Sequence, residues 1–269
     1  MGEIALSIDV EDWFCVRNMG QKISFSEWNH CELRVRKGLD FILEELGRRQ
    51  VRATFFMLGW VAERCPLIVK ELESGGHEIG SHGYNHQPLD WGNPNSFKRD
   101  VEKSLGVLSA QVQSPIEGYR APSFSITRET YWALGILRDL GFRYDSSIYP
   151  VRHPDYGIPD FPAHVTQAEG IWEVPMSQVN VMGMRVPVSG GGYFRLYPYA
   201  VTRKLLQKAQ KHGDVVLYFH PWEFDDSQPR VALPPLKKFR HYVGLSKNRD
   251  KFQRLLDDFP LKPVRELLH

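Results

Sequence analysis

The chain has 269 residues, of which 42% are hydrophobic and 12% aromatic, a composition typical of one large globular domain. Its 34 basic and 32 acidic residues almost cancel and the basic ones are dispersed, so we expect no nucleic-acid partner. The three cysteines include no CxxC pair, which argues against a disulfide scaffold. No apolar run reaches roughly 18 residues, so we expect no membrane span. Because the sequence also shows no signal-peptide pattern, we expect a cytoplasmic protein.

Short apolar runs alternate with amphipathic stretches along the whole chain, a pattern typical of strands and helices in a parallel α/β domain. The strands are predicted at 4–8, 53–58, 77–80, 116–119, 142–144, 171–175 and 215–219. The helices are predicted at 32–49, 66–74, 96–111, 127–140 (or from 125), 199–212 and 236–256. Between them, 149–170 predicts a long loop, and 183–199 contains a glycine-rich loop at 189–195.

Polar residues follow the predicted strands at the point where each one ends. They are Asp9, His82, Arg120, Asp145 and His220. Because the carboxyl ends of parallel strands meet at one edge of a sheet or one face of a barrel, we expect a site there.

The segment from Ser81 to His86 carries two histidines four residues apart. On a helical turn, His82 and His86 can reach one cation, although two surface histidines in a polar loop fit the same pattern. Zinc bound by two nitrogens also takes a carboxylate oxygen and water. Asp9, Glu11 and Asp12 directly follow the first strand and supply carboxylate candidates.

Three protein ligands with one open position form a catalytic rather than a structural metal site. A second carboxylate beside the metal can take a proton from water, and Arg120 can hold that carboxylate. His220, on the last strand, can protonate a leaving group. Together these groups predict metal-assisted hydrolysis.

At these residues the sequence resembles the polysaccharide deacetylase family, the NodB homology domain of carbohydrate esterase family 4. The resemblance covers about residues 4–224 and depends on segments in the family's order: Ser7–Asp12, Ala53–Phe56, Gly76–His86, Arg120–Pro122 and Leu217–Pro221. It implies a single domain over 1–269 with a C-terminal helical tail, folded as a distorted (β/α) barrel of about seven parallel strands.

The resemblance implies that Asp9 is the catalytic base, His220 the catalytic acid and Arg120 the residue that orients the base. It implies that His82 and His86 bind a divalent metal, zinc first, with cobalt or nickel as alternatives. The family's first motif has adjacent aspartates, whereas this chain has Asp9-Val10-Glu11-Asp12. We favour Glu11 as third ligand because residues i and i+2 of an extended segment face the same way. The alternative has Asp12 as ligand and Glu11 as base.

Substrate contacts are expected from a backbone N–H near Pro122, from Tyr193 and from Trp222. Asp145 either orients His220 or begins a turn. The segments 144–147, 173–175 and 190–195 resemble a sub-branch associated with bacterial exopolysaccharides. The expected function is removal of N-acetyl groups from an N-acetylated sugar or surface polysaccharide, with release of acetate. The alternatives are an allantoinase-like hydrolase of a cyclic amide or ureide, and a non-catalytic glycan-binding domain.

Overall fold

The computed structural model describes residues 1–20, 22–181 and 183–268. The strands are β1 (Ile4–Val10), β2 (Thr54–Met57), β3 (Glu78–Ser81), β4 (Gly118–Tyr119), β5 (Tyr144–Asp145), β6 (Thr166–Ala168), β7 (Ile171–Glu173), β8 (Gln178–Val181), β9 (Met184–Pro187) and β10 (Val215–Phe219). The α-helices are α1 (Val35–Arg49), α2 (Gly59–Arg64), α3 (Pro66–Ser74), α4 (Pro94–Ser109), α5 (Trp132–Asp139), α6 (Gly191–Leu196), α7 (Tyr199–Gln210), α8 (Pro235–Tyr242) and α9 (Asn248–Asp258).

The main sheet has eight strands in the order β10-β1-β2-β3-β4-β5-β7-β6. All neighbours in it are parallel except β6 and β7, which are antiparallel. The sheet curls into an incomplete barrel, which confirms the expected α/β fold and its mostly parallel strands. Loops flanking the β8–β9 hairpin bridge the gap to β10: Val216 N donates to Ser177 Oγ (2.8 Å) and Tyr218 N to Ser189 O (2.7 Å).

The first strand is buried on both faces, which is usual in parallel sheets covered by helices. Its even-numbered apolar residues pack toward the helices, and the alternate row, Ala5, Ser7 and Asp9, faces the barrel interior. This alternation carries Asp9 to the carboxyl end of the barrel.

The C-terminal segment closes the opposite end of the barrel. Leu6 N donates to Lys262 O (2.8 Å), and Val264 N donates to Thr54 Oγ1 (2.7 Å). Val264 and Leu267 are fully buried among the interior side chains. The carboxyl ends of the strands therefore form the open end. No helix within the described ranges is long and apolar enough to cross a bilayer.

Two local predictions are wrong. Within 183–199, the glycine-rich stretch 189–195 was expected as a loop, but α6 begins inside it at Gly191, and β9 precedes it. The tail expected as one helix over 236–256 is broken at Gly244, which has φ 70° and lies so close to Arg195 O that a Cβ there would be 2.4 Å away. The break exposes the carbonyl groups of His241 and Val243, which accept hydrogen bonds from the Arg195 side chain. The helical periodicity of the tail does not predict this contact.

Candidate active site

Four of the five polar residues expected at strand ends meet at the open end of the barrel, namely Asp9, His82, Arg120 and His220. Asp145 does not join them. Its carboxylate accepts hydrogen bonds from Ser147 N (3.0 Å) and Ser147 Oγ (2.6 Å). The structure therefore agrees with the expectation that Asp145 begins a turn, and not with the expectation that it orients His220.

Arg120 and Asp9 form a buried ion pair, with 2.8 Å between Nη1 and Oδ1. Arg120 has no exposed surface, and its other donors bind Ser7 Oγ, Ser146 O and Ser146 Oγ. The guanidinium also lies 4.3 Å above the Phe56 ring. Every polar group of this arginine is therefore held, which fixes the carboxylate of Asp9 in one orientation.

The histidine loop reaches the site through a tight turn, not through the helical turn that we expected. Gly83 has φ +70° and His86 has φ 53°, both in the left-handed region. The Asp100 carboxylate holds the turn by accepting from Tyr84 N (2.7 Å) and Asn85 N (3.1 Å). This backbone brings the ring centres of the two histidines to 5.1 Å from each other.

The residues Glu11, His82 and His86 each place one potential ligand atom within 4.8 Å of the others, and all three are buried. His86 Nε2 and Glu11 Oε2 are 2.7 Å apart, yet Oε2 has no partner among the described residues with hydrogen-bond geometry. A buried carboxylate oxygen that faces an imidazole nitrogen without a hydrogen bond is the arrangement expected of two ligands for one cation. The donor set, two nitrogens and one oxygen, fits a zinc-type metal.

The protonation states of this cluster suit metal binding. His82 Nδ1 lies 2.8 Å from Arg120 O, so Nδ1 carries the proton and the lone pair of Nε2 faces the cluster. Burial lowers the pKa of His82 to about 4. Burial acts to raise the pKa of Glu11, but the neighbouring imidazoles, first that of His86, outweigh it and lower the pKa to about 2. At neutral pH the histidine is neutral and the glutamate ionised, as ligands must be.

Asp12, the residue after Glu11, binds backbone N–H groups instead of facing the histidines. Its Oδ1 accepts from Trp13 N (2.7 Å), and its Oδ2 accepts from Arg34 N (2.6 Å) and Val35 N (2.9 Å) at the start of α1. Both oxygens are therefore occupied by backbone donors. The structure gathers Glu11, not Asp12, with the histidines.

His220 lies at the end of β10 with Nε2 3.5 Å from Glu11 Oε1 and 3.9 Å from Asp9 Oδ2. On its other side, Nδ1 is 3.5 Å from Glu223 Oε2. Glu223 is fully buried, and its Oε1 accepts from Arg195 Nε at 3.0 Å. Burial acts to lower the pKa of His220, but the contact of Nδ1 with the Glu223 carboxylate and the negative charges of Glu11, Glu223 and Asp9 outweigh it and raise the pKa to about 9.

The sequence analysis identified neither Glu223 nor its ion pair with Arg195. A signal was present, because Glu223 stands three residues after His220, the spacing of a capping box. No sequence pattern links Arg195 to this pair, since the contact depends on how α6 packs beside β10. The Arg195 side chain is buried and its remaining donors bind the carbonyls of 240, 241 and 243.

Of the three predicted substrate contacts, Tyr193 and Trp222 line the pocket above the site and Pro122 does not. Next to Pro122, the pocket surface is formed by Ser123 and Phe124. Trp222 is mostly buried, its Nε1 donates to Glu11 Oε1 (3.1 Å), and its ring stacks on His220 at 5.2 Å between centres. The tryptophan therefore supports the site as well as facing the pocket.

The curled parallel sheet carries a two-histidine, one-carboxylate cluster beside a buried arginine–aspartate pair. This arrangement suits metal-assisted hydrolysis. Residues 35–144 match the family model described as polysaccharide deacetylase, and residues 146–269 match one described as a domain of unknown function, DUF3473. The first of these matches confirms the resemblance to polysaccharide deacetylases over residues 35–144. The two matches meet inside the continuous sheet, at β5.

Among curated proteins, the chain is 39% identical over 83 residues to a peptidoglycan-N-acetylglucosamine deacetylase of Bacillus cereus, covering 31% of this chain and 28% of the relative. It is 28% identical over 82 residues to a chitooligosaccharide deacetylase of Sinorhizobium fredii, covering 30% of this chain and 38% of the relative. A peptidoglycan deacetylase-like protein of Gibberella zeae is 26% identical over 141 residues, covering 51% and 40%. The chain thus spans well under half the length of these relatives.

Among solved structures, a Mycobacterium smegmatis protein assigned to the polysaccharide deacetylases superposes with a TM-score of 0.61 at 19% identity, covering 99% of this chain and 90% of that one. A carbohydrate esterase family 4 pseudoenzyme from Bacillus anthracis superposes with a TM-score of 0.54 at 13% identity, covering 99% and 65%. At such identities the likeness shows the fold. Activity has to be argued from the site residues themselves.

Proposed function

We propose that this protein is a metal-dependent N-deacetylase that hydrolyses the acetamide of an N-acetylated sugar and releases acetate. One observation carries the proposal: the cluster of Glu11, His82 and His86 lies beside the Asp9–Arg120 pair and His220 at one end of the barrel. The relatives named above as deacetylases of peptidoglycan and chitooligosaccharides support the same chemistry. A surface polysaccharide or its precursor is the substrate that we place first.

Glu11, His82 and His86 are the residues that would hold the metal, with Asp12 left at the start of α1. When bound, a divalent metal such as zinc polarises the acetamide carbonyl and the attacking water. The Trp222 N–H donates to Glu11, and the Arg120 carbonyl accepts from His82. These two contacts keep the lone pairs of Glu11 and His82 directed toward the centre of the cluster.

Asp9 acts as general base. Its Oδ1 is held by Arg120, while Oδ2 faces the space toward His220 and is available to take a proton from water. The buried guanidinium holds the carboxylate in one orientation and prevents it from rotating away.

His220 acts as general acid from the other side of the same space. Nδ1 faces the Glu223 carboxylate at 3.5 Å, and Nε2, on the side of Asp9 and Glu11, can pass its proton to the nitrogen of the breaking C–N bond. A backbone N–H in the turn that follows Arg120 is proposed to stabilise the oxyanion. The amine and acetate then leave through the pocket.

The test is acetate release from N-acetylglucosamine oligomers by the zinc-loaded protein, with Asp9→Asn and His220→Ala as variants. We expect turnover in the wild type and a loss of at least roughly a hundredfold in each variant. A parallel assay with a cyclic ureide distinguishes the allantoinase-like alternative. If only the ureide is turned over, the proposed substrate is wrong. If the wild type and both variants bind the sugar but none of them releases acetate, the proposal that the protein is an enzyme is wrong.

A further inference from the structure

The pocket above the site, about 420 Å³ in volume, has two parts of different character. The floor consists of the catalytic cluster and is almost entirely buried. The mouth is formed by side chains of α6 and α8 and is open to solvent, with Leu196, Leu236 and Phe239 exposed by 46%, 60% and 52%. Large apolar side chains held open at the mouth of a polar site are typical of ligand contacts.

One face of α8 lines this mouth. Leu236, Phe239, Arg240 and Val243 follow the spacing i, i+3, i+4 and i+7, which places them on one side of the helix. Lys238, on the same helix, is exposed but does not line the pocket. The mouth thus receives an aromatic ring, aliphatic side chains and one guanidinium from a single short helix.

The position of α8 is fixed relative to the catalytic residues. The buried Arg195 donates to the carbonyls of Arg240 (3.1 Å) and His241 (2.8 Å), and its Nε binds Glu223. His241 stacks on Trp222 with 4.5 Å between ring centres and 9° between planes. These contacts join α8, at the mouth of the pocket, to the catalytic residues at its floor.

The charges at the mouth are unbalanced. Arg17 is paired with Asp90 (3.0 Å) and lies 4.0 Å from Asp155. By contrast, the guanidinium of Arg240 has no hydrogen bond or ion pair among the described residues. His153 and Asp155 line the same pocket as Arg240. An unpaired cation beside apolar surface suits an anionic ligand.

We propose that the mouth is a second subsite that binds the part of the substrate next to the acetamido sugar, and that Arg240 there selects an anionic group. The inference rests on the proposed function, because it assigns the acetamido sugar to the floor. The anionic group is either the carboxylate of a uronic acid or a phosphate on the sugar. Phe239 and Leu236 contact the apolar face of the neighbouring unit.

The test measures equilibrium affinity, so that it does not depend on turnover. Calorimetric titrations of the zinc-loaded His220→Ala protein compare three ligands: neutral N,N′-diacetylchitobiose, a disaccharide of glucuronate and N-acetylglucosamine, and N-acetylglucosamine 1-phosphate. We expect one of the two anionic ligands to bind roughly tenfold more tightly than the neutral one, as for one partly exposed charge-assisted contact. Which of the two does so identifies the source of the charge.

The same titrations on Arg240→Gln and Lys238→Gln, each combined with His220→Ala, locate the effect. We expect the first change to abolish the preference for the anion and the second, one cation on the same helix outside the pocket, to retain it. Equal affinity for all three ligands, or an equal loss in both variants, overturns the proposal. Acetate release by the wild type is recorded separately. Its absence refutes the proposed function, whereas the affinities alone decide the subsite.

Discussion

The replacement Glu223→Gln tests whether the catalytic acid depends on its buried partner. Glu223 has no exposed surface, accepts from Arg195 Nε at 3.0 Å and from His220 N at 3.2 Å, and faces His220 Nδ1 at 3.5 Å. Glutamine has the same shape and keeps one oxygen for Arg195. It removes the negative charge that faces the imidazole, and its amide nitrogen takes the place of the oxygen that accepts from His220 N.

We expect the loss of this charged contact to cost at most as much as one charge-assisted hydrogen bond, about 1.5 to 3 kcal/mol, which converts to a decrease in kcat of roughly 10-fold to 100-fold. KM and the bound zinc are expected to stay the same, because Glu223 has no exposed surface and lies outside the metal cluster. The assay is steady-state acetate release, with zinc content and thermal unfolding measured on the same samples. A kcat within twofold of the wild type, with unchanged zinc content and stability, refutes the role of Glu223.

Three further predictions concern the framework. Arg120→Met leaves the Asp9 carboxylate buried without its partner, and we expect a loss of about 3 to 5 kcal/mol in urea unfolding together with inactivity. Gly83→Ala places a methyl group 2.7 Å from Asp100 Oδ2 at φ +70°, so zinc content and stability should both fall, and a normal zinc content would contradict the account of the loop. Burial lowers the pKa of His77 in the folded state from 6.5 to about 4, so the unfolded chain takes up the proton first. The stability that the neutral His77 contributes is therefore present above pH 6.5 and is lost as the pH falls toward 4. Between pH 7 and pH 5, the urea midpoint of His77→Gln should therefore decline less than that of the wild type.

Much of the fold was predictable because it depends on local patterns. The apolar runs are short and the helical stretches amphipathic, and their alternation leaves a parallel sheet as the expected solution. The same rule predicts that Asp9, Arg120 and His220, far apart in sequence, meet at the strand ends. Asp145 does not join them, because Ser147, two residues later, donates a hydrogen bond to its carboxylate.

The details that the sequence left open depend on where individual side chains point. The choice between Glu11 and Asp12 is decided by a turn after β1, in which Glu11 N donates to Asp9 O (3.0 Å) and Asp12 is free to hold the first N–H groups of α1. Neither contact has a sequence signature. The contribution of α8 to the pocket was missed for the same reason, since a short amphipathic helix gives no indication of which surface it will cover.

The identity of the carboxylate ligand tests the central claim most directly. Zinc content of purified Glu11→Gln and Asp12→Asn, measured by elemental analysis after equilibration at one free zinc concentration, separates the two alternatives for the site. We expect Glu11→Gln to weaken zinc binding by roughly 10-fold to 100-fold or more. Asp12→Asn should retain zinc but unfold at lower denaturant, because a helix cap contributes about 1 kcal/mol. Full zinc occupancy in Glu11→Gln with loss of zinc in Asp12→Asn would contradict the account.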